Sequence, residues 1–188
     1  MSPSSSTRLL FLLATMTICT TVLHANAITG SLPFAEFNVT QNSADLTTST
    51  IFTGTDSLTS STGKGDFSIV SAMTPFSGFT LMIASISGGG GFSISNPSFG
   101  NFMATGGSIQ HQTANGLVVD LTGTYIPGSS FPGLTATPAD ATLGFTQNGS
   151  SISASFTLAM IPEPATMVTM GIGLCVSALA LRRKLAMS

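Results

Sequence analysis

Ten residues near the C-terminal end, Ser151 to Met160, alternate without a fault. Ile152, Ala154, Phe156, Leu158 and Met160 fall on one side, and Ser151, Ser153, Ser155, Thr157 and Ala159 on the other. A period of two places successive side chains on opposite faces of an extended strand, so this stretch reads as a strand with one face buried and one hydroxyl-covered face in water. Leu117 to Tyr125 repeats the pattern: Leu117, Val119, Leu121 and Tyr125 face one way, and Val118, Asp120, Thr122 and Thr124 the other. Asp120 is then a solvated strand residue. Shorter alternations predict strands at 47–53, 66–71, 78–84, 91–95, 99–104, 107–112 and 142–147, about nine strands in all.

Turn chemistry sets the pairing. Asn115-Gly116 and Asn148-Gly149 each lie between alternating runs, and both positions of such a pair tolerate positive φ, as a tight hairpin requires. Thr142 to Gln147 is therefore expected to pair antiparallel with Ser150 to Ala159, and Gly107 to Gln112 with Leu117 to Tyr125. Ile126 to Asp140 contains Pro127, Pro132 and Pro138 and reads as a long loop or crossover. That connection suits a Greek-key or jelly-roll path better than a plain meander. The expected fold class is all-β: a single antiparallel β-sandwich or jelly-roll-like domain, flanked by an N-terminal signal helix and a C-terminal transmembrane helix.

The flanks follow from the two ends of the chain. Residues 1–27 have the form of a secretory signal: Arg8, then the apolar run Leu9 to Leu23, then the small-residue site Ala25-Asn26-Ala27, with cleavage expected after Ala27. At the other end Pro162, Glu163 and Pro164 precede an apolar run, Ala165 to Leu181, which is followed by Arg182, Arg183 and Lys184. As a helix those seventeen residues would reach roughly 25 Å, enough to span once flanking residues contribute. The prolines place the helix start after Pro164, and the basic cluster marks the inner side of a membrane. The expected organisation is 1–27 signal peptide, 28–160 exported domain and 161–188 sorting tail.

Removing both ends changes the charge that matters. Residues 28–161 keep one cation, Lys64, against Glu36, Asp45, Asp56, Asp66, Asp120 and Asp140, a net charge near −5, where the whole chain stands at −2. A nucleic-acid partner is not expected without a basic surface. Cys19 and Cys175 both belong to the flanks, so no disulfide framework is expected in the domain. Charged residues are only 6% of the chain and hydroxyl side chains are abundant, which fits a β domain with a hydroxyl outer face.

Chemical motifs are weak. Gly88 to Gly91 lacks the following Lys-Ser or Lys-Thr and the helix of a phosphate loop, and reads as a flexible hairpin loop. Asp56 and Asp66 flank a polar stretch but match no calcium loop. His111 is the one histidine of the exported domain and has no nucleophile motif beside it. No cofactor, metal site or enzymatic activity is expected. A shallow polar sugar site using Asn96, Asn101, Gln110 and Gln112 can be drawn, but the chain has no Trp and one Tyr to stack on a sugar ring.

The order Pro-Glu-Pro-Ala, apolar run, Arg-Arg-Lys resembles the PEP-CTERM sorting signal of exported bacterial proteins. That resemblance is confined to about 28 residues. It implies delivery by signal peptidase, transient residence in the inner membrane, and processing by a membrane-embedded exosortase near Pro162, Glu163 and Pro164. It further implies a final place at the cell surface or in an extracellular, exopolysaccharide-containing matrix, with a structural or adhesive role. A glycan-binding module and an uncleaved single-pass membrane protein are the alternatives.

Overall fold

The structure, a computed structural model, describes residues 27–161. The expected signal helix and transmembrane helix lie outside the described residues.

Among the described residues there are ten strands: β1 (Gly30–Phe37), β2 (Thr40–Gln41), β3 (Ile51–Thr59), β4 (Lys64–Gly65), β5 (Pro75–Met82), β6 (Ser93–Asn96), β7 (Gly100–Gln112), β8 (Gly116–Pro127), β9 (Thr137–Asn148) and β10 (Ser151–Met160). All their ladders are antiparallel, and they form one sheet in the order β2-β3-β1-β10-β9-β8-β7-β6, with β4 added to β1 and β5 added to β3. The sheet curls until its extremes meet. There the Ser95 amide donates to Ser77 Oγ (3.0 Å) and Asn96 Nδ2 donates to the Pro75 carbonyl (2.7 Å), so side chains and not a backbone ladder close the wall.

The all-β expectation holds, whereas the two facing sheets of a sandwich are replaced by one sheet curled on itself. The path is also the plain meander that the long proline-bearing connection argued against. Residues 128–136 join two neighbouring strands, with Tyr125 paired to Thr137, and fold across the end of the barrel instead of crossing over it. Inside, Phe131 packs edge-on against Phe67, their ring centres 5.5 Å apart. A long loop with its own buried aromatic closes an end, a role that proline content alone does not reveal.

The strongest alternations fold as read. In β8 Leu117, Val119, Leu121 and Tyr125 are fully buried, and in β10 Phe156, Leu158 and Met160 are buried while the serines are exposed. Phenylalanines fill the interior from opposite walls. Phe34 stacks on Phe156 at 4.4 Å, Phe52 lies 4.8 Å from Phe145, and Phe92 reaches Phe156 at 5.5 Å and Phe79 at 5.4 Å. Such pairs contribute about 1 kcal/mol each beyond the area they bury.

Four local readings change. The strand expected at 66–71 is a 3-10 helix over Asp66–Ile69 that buries Phe67, since two apolar residues do not sustain a ladder. The two strands expected at 99–104 and 107–112 are one, β7, bent by register shifts between Ala104 and Gly106 and between Ile109 and His111. The strand expected at 47–53 begins only at Ile51. Asp45 accounts for this: its Oδ1 accepts from the Thr47 and Thr48 amides, both at 2.9 Å, and ties the preceding stretch into a turn. β1 was not expected, because Pro33 lies inside it and Glu36 stands at an inward position.

Gly88 to Gly91 is no free hairpin loop. Ile83–Gly91 forms tight 3-10 turns packed on β7, with φ of 84°, 61° and 74° at Gly89, Gly90 and Gly91. A Cβ on Gly89 would lie 2.5 Å from the Ala104 carbonyl carbon, so this close approach demands glycine there. The glycine run fills the part of the wall that β6, only four residues long, leaves uncovered.

Candidate functional site

Both described ends of the chain emerge at the same end of the barrel. Ala27 forms a parallel bridge with Thr135, and Ile28 is fully buried beneath it. Thr29 is clasped by Asp66: its amide donates to Asp66 Oδ2 at 2.7 Å, its hydroxyl donates to the same oxygen at 3.0 Å, and its carbonyl accepts the Asp66 amide at 3.0 Å. β1 then pairs with β10, Ser31 opposite Ala159, so the last strand lies beside the first. Ile161 follows β10 directly, and its amide donates to the Pro138 carbonyl at 2.9 Å. Of the predicted site residues Ala27 is placed here. Ala25, Pro162, Glu163, Pro164, Arg182, Arg183 and Lys184 lie outside the described residues.

Both described ends are thus held against the barrel by hydrogen bonds. The expected cleavage point adjoins a buried core side chain, and the sorting triplet begins one residue past the last strand. Asp66→Ala removes the two carboxylate bonds to Thr29 while keeping the backbone one, and is expected to lower the domain's stability by about 1 kcal/mol, read as a lower urea midpoint at unchanged slope.

A second feature was invisible to motif reasoning. Glu36 follows Leu32 and Phe34 along the inward face of β1 and is only 9% exposed. Ser57 Oγ, itself fully buried, donates to Glu36 Oε2 at 2.7 Å, while Oε1 has no hydrogen-bond partner. The Phe79 ring and Gly54 adjoin it: a Cβ on Gly54 would lie 2.5 Å from Phe79 Cε1 and 3.2 Å from Glu36 Oε2. Burial pushes this carboxyl up to about 7, against a smaller opposing effect of the Ser57 hydroxyl. No ionisable residue occurs in β5 or β10, and Asp56, the one in β3, is exposed. Glu36 can therefore take up or release a proton near neutrality, although among the described residues no second ionisable group stands with it to form an acid–base pair. The sequence signal that could have found it is a lone acid at an inward position of an alternating run.

The remaining candidates do not converge. Asp56 lies within β3 and Asp66 at the start of its 3-10 helix, so they are not two ends of one loop. Asp45 is held below the usual carboxylate range, first by the Thr47 hydroxyl and then by Thr48, which is turn chemistry. His111 is exposed at a β7 irregularity. Asn96 and Asn101 line an open depression with Ser95, Pro97, Ile126 and Pro127, but Gln110 and Gln112 stand towards the other end of β7. Gln112 Nε2 donates instead to the Leu46 carbonyl (2.7 Å), pinning the 42–50 loop over that end. Tyr125 is buried and its hydroxyl donates to the Phe99 carbonyl, so it offers no surface for sugar stacking. Among the described residues no group of three or more His, Cys, Asp or Glu could hold a metal ion.

No curated protein and no solved structure matches the chain. The family model that does match is that of the PEP-CTERM protein-sorting motif, over residues 161–184. Those residues include the Pro-Glu-Pro triplet, the apolar run and the basic cluster, and they begin at Ile161, where the barrel ends. The chain is thus a β-barrel domain joined without a spacer to a PEP-CTERM sorting tail.

Proposed function

We propose that this protein is a non-enzymatic structural component of the cell surface or extracellular matrix, associated with exopolysaccharide after an exosortase has processed its tail. The motif supports export and exosortase sorting. The final role rests on one observation, the contrast between the two faces of the wall. The inside is occupied by packed aromatic rings. The outside presents hydroxyls, as in exposed Ser151, Ser153, Ser155 and Thr157 of β10. These hydroxyls bond along the surface, Thr146 with Ser153 and Thr40 with Thr53, both at 2.7 Å. A weakly charged hydroxyl surface exchanges hydrogen bonds readily between water and polysaccharide, giving broad and weak adhesion without ionic partners. The glycan-module alternative needs a stacking ring; Tyr125 is buried, which leaves Phe37 as the exposed aromatic among the described residues, with no second ring beside it to form a sugar platform.

Fractionation of the native host followed by mass spectrometry tests the proposal. A matrix-associated chain that begins at Ile28 and lacks Arg182 to Ser188 is expected. A chain that stays in the membrane fraction with Arg182 to Ser188 intact would favour the single-pass alternative.

A further inference from the structure

We propose that, while the sorting tail is inserted, the barrel end closed by residues 60–74 and 128–136 rests on the outer surface of the membrane, with Ile69, Met73 and Ile161 among the lipid headgroups. This rests on the reading that residues 165–181 cross a bilayer. Three independent observations point to the lipid surface as the occupant of this end.

The tether is short. Ile161 is held by the Pro138 carbonyl, and from it to Ala165 there are four Cα steps, roughly 14 Å at full extension. The ten-residue β10 is itself roughly 33 Å long. Since the headgroup layer on one side is roughly 5–7 Å deep, the barrel cannot turn its opposite end to the bilayer.

This end exposes large apolar side chains, as the opposite end does with Ile51 and Met82, so the tether decides which of the two meets lipid. Ile69 is 53% exposed, Met73 63% and Ile161 40%, all at the rim from which the tail leaves. Ile69 and Met73 stand on the 60–74 segment, which is tied to the barrel by the pairing of Lys64 with Ser31 and of Gly65 with Gly30.

Charge is distributed in the same sense. The two covering segments contain Lys64 and Asp66 and no other charged residue; exposed Asp140, opposite Ala159, stands beside this rim, whereas Glu36, Asp45, Asp56 and Asp120 lie farther along the wall or in the far loop. An anionic bilayer repels the four distant acids, and at this end Asp140 is the one acid without a covering-segment cation to balance it.

The absence of Trp from the chain supplies the test. Single Ile69→Trp and Met73→Trp variants of the full-length chain are placed in phosphatidylethanolamine–phosphatidylglycerol vesicles with brominated acyl chains. Ile51→Trp and Met82→Trp, exposed at the opposite end, serve as references. Met167→Trp reports tail insertion, and circular dichroism checks folding. The expected result is a blue shift and loss of emission at 69 and 73, and neither at 51 and 82. Unquenched emission at 69 and 73 with quenching at 167 would overturn the docked orientation while leaving the anchor intact. Equal quenching at both ends would overturn it too, as a barrel with no fixed face. No quenching at 167 would overturn the spanning reading, and the proposal with it.

Discussion

Glu36→Gln is expected to stabilise the exported domain by about 3 kcal/mol at pH 8, and to change stability at pH 4 by no more than about 1 kcal/mol. The carboxyl titrates near 7 in the fold against 4.5 when free, a raised value for an acid. Below pH 4.5 both folded and unfolded chains carry a protonated group, and Glu36 makes no pH-dependent contribution. As pH rises from 4.5 to 7 the unfolded chain releases its proton while the fold retains it, so stability falls throughout that window. Above 7 the loss is complete and constant, at about 1.4 kcal/mol per unit of difference. Glutamine keeps the acceptor for the Ser57 hydroxyl and removes the charge, so the variant's stability should be flat across the window. Urea unfolding at intervals from pH 4 to 9 measures this. A parent protein whose midpoint is level between pH 4.5 and 7 would show that Glu36 is not held protonated.

Phe92→Ala is expected to cost about 4 kcal/mol, within the range for removing a buried aromatic ring. The site is where the wall lacks a continuous backbone ladder. Phe92 is fully buried and its ring meets Phe79, Phe102 and Phe156, so one side chain joins β5, β7 and β10 across the seam. Its amide also donates to the Gly89 carbonyl, ending the glycine turn. Loss of the ring should open the closure before the rest unfolds, so limited proteolysis is expected to cut first between residues 83 and 92. A cut elsewhere at unchanged midpoint would show that the seam does not depend on Phe92.

β10 and β8 were legible because each has an inward apolar residue at every second position and an Asn-Gly turn nearby, so pattern and pairing agree locally. β1 was missed because Pro33 and Glu36 violate those local rules, and its partners β3 and β10 supply its hydrogen bonds from far along the chain. The glycine run is another case: four glycines signal freedom when read alone, while Gly89, packed on Ala104, marks a place where backbone must approach backbone. Glu36 carried no motif at all. Its character comes from Ser57, Gly54 and Phe79, which only folding brings to it.

The functional ends divide in the same way. Export and sorting are read from the linear order of a handful of residues, the Pro-Glu-Pro triplet, apolar run and basic cluster that the sorting-motif model matches over residues 161–184. Strand content too is determined locally, by a period of two. The closure of the strands into a meander, the emergence of both described ends at one rim, and the burial of a lone carboxyl were decided by tertiary structure. Each depends on contacts between residues far apart in the chain, and neither spacing nor composition encodes which distant surfaces will meet.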